Sequence, residues 1–174
     1  MAAFFAVIMV GSSTVSLFGP GGTKEKGNTT PLTLTGTPED NYAPDKRTTF
    51  CQSDDAKSTK YITEFKVPTR CTQPLGITTD PSGNVWFTEA NTGNIAEFDP
   101  ISKTFQEFKN LKWQKGEKSM MWGIYYSHDR NIWFSDSQHN LIWRFDSQGK
   151  DYSSFMFPKT PGQQESFPQM LKPD

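Results

Sequence analysis

The stretch Pro74-Leu75-Gly76-Ile77-Thr78-Thr79-Asp80-Pro81-Ser82-Gly83-Asn84-Val85-Trp86-Phe87-Thr88-Glu89 sets two apolar runs on either side of one tight turn. At an offset of 47 residues the chain does the same again, with Trp122-Gly123-Ile124 and Asn131-Ile132-Trp133-Phe134-Ser135-Asp136 in the matching places. Gly76, Ile77, Asn84, Trp86, Phe87, Ile95, Phe98, Asp99, Lys103 and Phe108 all recur at that offset, ten identities in 33 positions. Other pairs keep their chemistry: Val85 with Ile132, Thr88 with Ser135, Glu89 with Asp136, Phe105 with Tyr152. Self-similarity at a fixed period marks a repeat architecture and outranks any local assignment.

Working outward, each repeat reads as four short strands divided by turn residues. In the first they fall at 75–79, 84–89, 94–98 and 104–109, with Asp80-Pro81-Ser82-Gly83, Asn91-Thr92-Gly93 and Asp99-Pro100 between them. The second predicts strands at 123–126, 131–136, 141–145 and 152–157. A four-stranded unit of this length is a propeller blade, with the shared aromatics as blade-to-blade core. The expected fold is all-β: an incomplete β-propeller of about two four-stranded blades plus edge strands, after an N-terminal apolar helix and a disordered linker. A run at 61–68 resembles a lone fourth strand, and Pro168 stands 94 residues after Pro74, where a third repeat would open. Closed propellers need about 4–8 blades. The repeat count therefore predicts further blades from a longer chain or from other copies.

Composition agrees. Of 174 residues, 14 are Phe, 5 Trp and 5 Tyr, and Gly and Pro number 13 and 12, which disfavours a helical bundle. A net charge of −1 with no basic cluster leaves no footprint for nucleic acid. Residues 1–18 are apolar and predict a signal peptide or membrane anchor, with a buried N-terminal helix as the other reading. Residues 19–58, rich in Gly, Pro, Thr, Asp and Lys, read as a flexible linker that buries too little to offset its ordering entropy. Residues 59–174 read as the partial propeller, with repeats at 74–120 and 121–167. Cys51 and Cys71 fit one disulfide if the chain is exported, and two free thiols otherwise. Asn28-Thr29-Thr30 is a glycosylation sequon in the linker. The expected location is extracytoplasmic, membrane-anchored or secreted.

Three stretches carry a family resemblance: Pro74-Leu75-Gly76-Ile77 with the turn and Val85-Trp86-Phe87-Thr88-Glu89, then Gly93-Asn94-Ile95-Ala96-Glu97-Phe98, and Ile62-Thr63-Glu64-Phe65-Lys66-Val67-Pro68. Over about 61–174 they resemble the virginiamycin B lyase (streptogramin lyase) family, with NHL-type and gluconolactonase-like propellers as near neighbours. The resemblance implies ring-opening elimination of a depsipeptide ester, with magnesium as cofactor. It also implies a histidine base from a Pro-His-Gly/Ala-Ile motif and a Glu fourteen residues later. A base removes a carbon-bound proton while a cation stabilises the charge that develops. In this chain the His position holds Leu75, Trp122 and, at the third repeat, Gln169, none of them a base at neutral pH. Glu89 and Asp136 keep the carboxylate position.

The remaining candidates each have a plain alternative. Trp122, Tyr125 and Tyr126 form a possible aromatic ligand mouth or else pack between blades. Glu89 and Asp136 bridge a divalent cation or simply accept hydrogen bonds at strand ends. His128 and His139 flank one strand at opposite ends, about 20 Å apart, as solvated turn residues. Trp113 lies in the loop joining the repeats. Three function classes follow: a propeller used as a binding or interaction scaffold for a small ligand or protein, a metal-assisted carbon–oxygen lyase completed by other blades, and a lactonase-like hydrolase. The expected partners include a membrane, engaged through residues 1–18 if they are not cleaved.

Overall fold

A computed structural model describes residues 38–51, 55–112, 119–158, 162 and 168–171. Residues 1–18, the sequon and Trp113 lie outside them. No helix among the described residues is long and apolar enough to cross a membrane.

Both repeats fold as predicted, to within a residue or two at strand ends. The first gives β1 (Pro74–Thr79), β2 (Val85–Glu89), β3 (Asn94–Asp99) and β4 (Thr104–Phe108). The second gives β5 (Met121–Tyr126), β6 (Asn131–Asp136), β7 (Leu141–Asp146) and β8 (Asp151–Met156). Each set is an antiparallel meander in sequence order, the topology of a propeller blade. The register repeats with the sequence. Phe87 opposes Ala96 and Ile95 opposes Phe108, just as Phe134 opposes Trp143 and Ile142 opposes Phe155. Even the irregularity between Pro74 and Ile77 returns between Met121 and Ile124. The first turn explains itself: Asp80 Oδ1 accepts the Ser82 and Asn84 N–H groups, and Gly83 takes φ +91°, which costs a glycine nothing.

Alternation along each strand decides which residues meet. Trp86, Ile95 and Phe108 project from one face of the first sheet and pack on Ile132, Phe134, Trp143, Phe145 and Tyr152 of the second. Trp86 lies 5.5 Å from Phe108 and 6.3 Å from Phe145, between ring centroids. Tyr152 pins the sheets together, its hydroxyl donating to Phe108 O (2.6 Å) and accepting from Ile95 N (3.2 Å). Burial pushes that phenol's pKa far up. At the inner edge, a Cβ on Gly76 would lie 2.5 Å from Trp122 O, so only glycine allows β1 to lie this close to β5.

The segment 19–58 departs from expectation where it is described. Residues Pro38–Asn41 form a 3₁₀ turn and Pro44–Phe50 a short helix, α1. Two polar anchors and one ring hold them. Asn41 Nδ2 donates to Asn91 O (2.9 Å), and Asn91 Nδ2 donates to Pro38 O (2.8 Å). Tyr42, 8% exposed, stacks on Phe50 and donates to Gln73 Oε1. Burial of one tyrosine and these amide bonds offset the ordering entropy that composition alone left uncovered. Cys51 and Cys71 are disulfide-bonded and buried beside Tyr42.

The run at 61–68 is also not a paired strand. It makes one isolated bridge, Ser58 to Thr63, and no strand among the described residues takes up the rest of its backbone hydrogen bonds. Phe65 instead lies 4.6 Å from Phe98, and Val67 packs against the cluster of Phe87, Ala96 and Phe98. Together they cover the first sheet's other face. Removing the disulfide as Cys51→Ala/Cys71→Ala is expected to cost about 3 kcal/mol for a loop of this size. Urea unfolding of the variant beside the parent checks it. Loss of α1 protection in hydrogen exchange should come first.

Candidate functional site

The two repeats present their β2–β3 and β6–β7 turns at the same end, and equivalent residues there make equivalent bonds. Ala90 N donates to Gln73 O and Ser137 N to Met120 O, at 3.1 and 3.0 Å. The family carboxylate position pairs with the residue three on in each: Glu89 Oε2 accepts from Thr92 Oγ1 (3.3 Å), and Asp136 Oδ2 lies 2.7 Å from His139 Nδ1. The likeness stops at solvent. The first turn is roofed by residues 38–42 through Asn91, whereas Gln138 at the corresponding place is exposed.

Glu89 is fully buried. Burial above all, then the neighbouring Glu107 carboxylate, raises its pKa from 4.5 to about 8. Glu107 itself accepts from both the N–H (3.0 Å) and Oγ1 (2.7 Å) of Thr69, fastening the covering segment to β4. Asp136 is equally buried but differently occupied: its Oδ1 accepts the Met120 and Gln138 N–H groups at 3.2 and 3.1 Å. Each carboxyl group thus holds together its own blade end. Of the two readings of this pair, these contacts are those of hydrogen bonding at strand ends.

The aromatic trio separates as well. Tyr126 packs into the interblade core, 6.5 Å from Trp86. Tyr125 pairs with Trp133 across the strand, on the opposite face. Trp122 alone stands at the turn end, 43% exposed, with its Nε1 donating to Ser137 Oγ (3.2 Å). Roughly 13 Å of strand separates it from Tyr126. Leu75, its counterpart on β1, is 38% exposed.

What assembles at the second blade's end is therefore Trp122, Ser137, Asp136 and His139. His139, by its place in the turn a solvated residue, instead lies against the Asp136 carboxylate. Only the i, i+3 spacing to Asp136 across the turn hinted at this. His139 is 25% exposed and is oriented by a carboxylate, an arrangement that can exchange a proton or hold a polar ligand. His128 lies in the turn at the other end of β6 and is exposed.

Magnesium, the cofactor implied by the family resemblance, does not fit the residues present. The base position holds isobutyl and indole groups, in Leu75 and Trp122, and the two carboxyl groups, Glu89 and Asp136, are each engaged in their own blade end. Among the described residues no three His, Cys, Asp or Glu side chains converge.

No protein-family model and no curated protein matches the chain. Several solved structures resemble it, lyases among them. Virginiamycin B lyase from Staphylococcus aureus is 31% identical, over 59% of this chain and 33% of the lyase, with a TM-score of 0.48. A catalytically inactive form of that enzyme with quinupristin gives the same identity and coverage, with a TM-score of 0.49. A streptogramin B lyase structure is 28% identical over 55% of this chain and 30% of the enzyme, with a TM-score of 0.47. The chain spans about a third of the length of these lyases. Its own strand order, register and interblade core make it two consecutive blades of a β-propeller.

Proposed function

We propose that these blades belong to an exported propeller that binds a ligand at the open turn end of the second blade. The observation that carries this reading is Trp122: a half-exposed indole, fixed by Ser137, stands where the lyase family places its base. An indole held in this way offers a flat stacking surface and no proton chemistry. The polar side of the same site is the Asp136–His139 pair. A disulfide supports an oxidising compartment, with residues 1–18 acting as export signal or anchor.

One observation favours a second reading, a lyase. His139 is a base-capable group braced by a carboxylate at the end of the blade that the family uses. Quinupristin separates the two. Calorimetric titration of the purified chain should show binding without turnover, and Trp122→Ala should weaken it about tenfold, the loss of one stacking contact. Affinity unchanged in Trp122→Ala sinks the scaffold reading. Ring opening of quinupristin that vanishes in His139→Ala establishes the lyase.

A further inference from the structure

At the interface between the two blades, charge is placed as deliberately as the aromatics. Glu97 projects from the first sheet's packed face. Lys150, in the β7–β8 turn of the next blade, reaches back across it. Its Nζ lies 4.4 Å from the Phe108 ring centroid, and its charge stabilises the Glu97 carboxylate against the cost of burial. The first blade thus gives an acid on its forward face and receives a lysine from the second blade's turn.

The forward face of the second sheet repeats that surface with the charge reversed. Trp133, Ile142 and Phe155 stand where Trp86, Ile95 and Phe108 stand in the first, and Trp133 and Phe155 stack at 5.7 Å. Phe155 is 46% and Phe157 41% exposed. Arg144 replaces Glu97. Its guanidinium sits 5.9 Å from the Phe155 ring, occupying from its own sheet the cation seat that Lys150 takes on Phe108. Its Nη2 donates to Ser153 Oγ (3.4 Å), while its Nε is buried without a hydrogen-bond partner among the described residues. An aromatic seat already holding a cation, with a buried donor unmet, calls for an incoming carboxylate.

The inner edge of this face is already continued. Residues 168–171 run beside β5 as β5 runs beside β1: a Cβ on Gly123 would meet Gln169 O at 2.7 Å, as one on Gly76 would meet Trp122 O. Ser135 Oγ donates to Gln169 O (3.0 Å), as Thr88 Oγ1 donates to Met121 O (3.2 Å). Resting on the propeller reading, we infer that the Trp133–Ile142–Arg144–Phe155 face seats a further repeat continuous with residues 168–171. That repeat carries a carboxylate at the turn position held by Lys103 and Lys150. A second copy of this chain is the wrong occupant. It would bring Lys103 against Arg144, and its receiving face is covered by Phe65 and Val67.

The test extends the full chain after Leu171 with a copy of residues 125–167, in which the copied Lys150 is either kept or replaced by Glu. The Glu form should melt about 2–4 °C above the Lys form. Arg144→Gln should erase that difference. Equal melting of the two forms, or a difference that survives Arg144→Gln, overturns the charge assignment. If the added residues stay unprotected from hydrogen exchange in both forms, it is the blade-stacking reading that fails. The unextended chain gives an independent check by sedimentation between about 5 and 200 µM. It should stay monomeric with Trp133 reactive towards N-bromosuccinimide. A concentration-dependent dimer that shields Trp133 assigns the face to a second copy and overturns the proposal.

Discussion

Gly76→Ala should destabilise the chain by about 3 kcal/mol, although it adds one methyl group. The added carbon would lie 2.5 Å from the Trp122 carbonyl oxygen, 3.1 Å from Ile124 Cγ2 and 3.3 Å from Thr88 Oγ1. The first of these is backbone of the neighbouring inner strand, so no rotamer change relieves it. β1 and β5 must separate, and the Trp86–Phe145 and Tyr152 contacts loosen with them. Gly83→Ala is the control. Nothing lies within 4 Å of that position, and only its φ of +91° is strained, so about 1 kcal/mol is expected. Urea denaturation with an unchanged m-value distinguishes the two. Equal losses at both positions would mean that the sheets do not approach as described.

Glu89 sets the second large effect, and its sign is opposite to that of an ordinary salt-bridged acid. Its pKa is raised from 4.5 to about 8 in the folded state, so between those values the native protein holds a proton that the unfolded chain has released. Stability from this group is complete below pH 4.5 and is lost as the pH rises through 8. A shift of that size amounts to about 3–5 kcal/mol, the lower figure allowing for relaxation of the Glu107 pair. Glu89→Gln removes the titration. The variant should match the parent at pH 5 and exceed it at pH 8.5, with a flat profile between. A parent profile that is itself flat from pH 5 to 8.5 would contradict the burial of an un-ionised carboxyl group here.

The blades were legible because a repeat states each fact twice. Trp86-Phe87 and Trp133-Phe134 fix the alternation, and Asn84 and Asn131 fix where each second strand starts. The faces then follow from the period of two. What escaped notice depends on contacts between distant parts of the chain. Nothing local in residues 38–51 announces that Tyr42 will find Gln73 or that Asn41 will find Asn91. Residues 61–68 have a strand's alternation but no ladder partner among the described residues, and pattern alone does not report pairing. The site split along the same line. That Leu75 and Trp122 stand at the base position was readable. That Tyr126 faces the core while Trp122 faces solvent depends on the irregularity between Met121 and Ile124. The Asp136–His139 contact depends on how the β6–β7 turn closes.

The two blades are joined at one interface, in which the Trp86–Ile95–Phe108 face of the first meets the Phe134–Phe145–Tyr152 face of the second. Tyr152 is its most discriminating reporter, because its hydroxyl joins β3 and β4 of the other sheet. A nuclear Overhauser spectrum of the folded chain, with the tyrosine ring protons assigned, reads this contact directly. Strong cross-peaks from the Tyr152 ring to the Ile95 amide and the Phe108 side chain are predicted. Cross-peaks confined to Phe134, Trp143 and Phe145 of its own sheet would show that the blades do not stack this way.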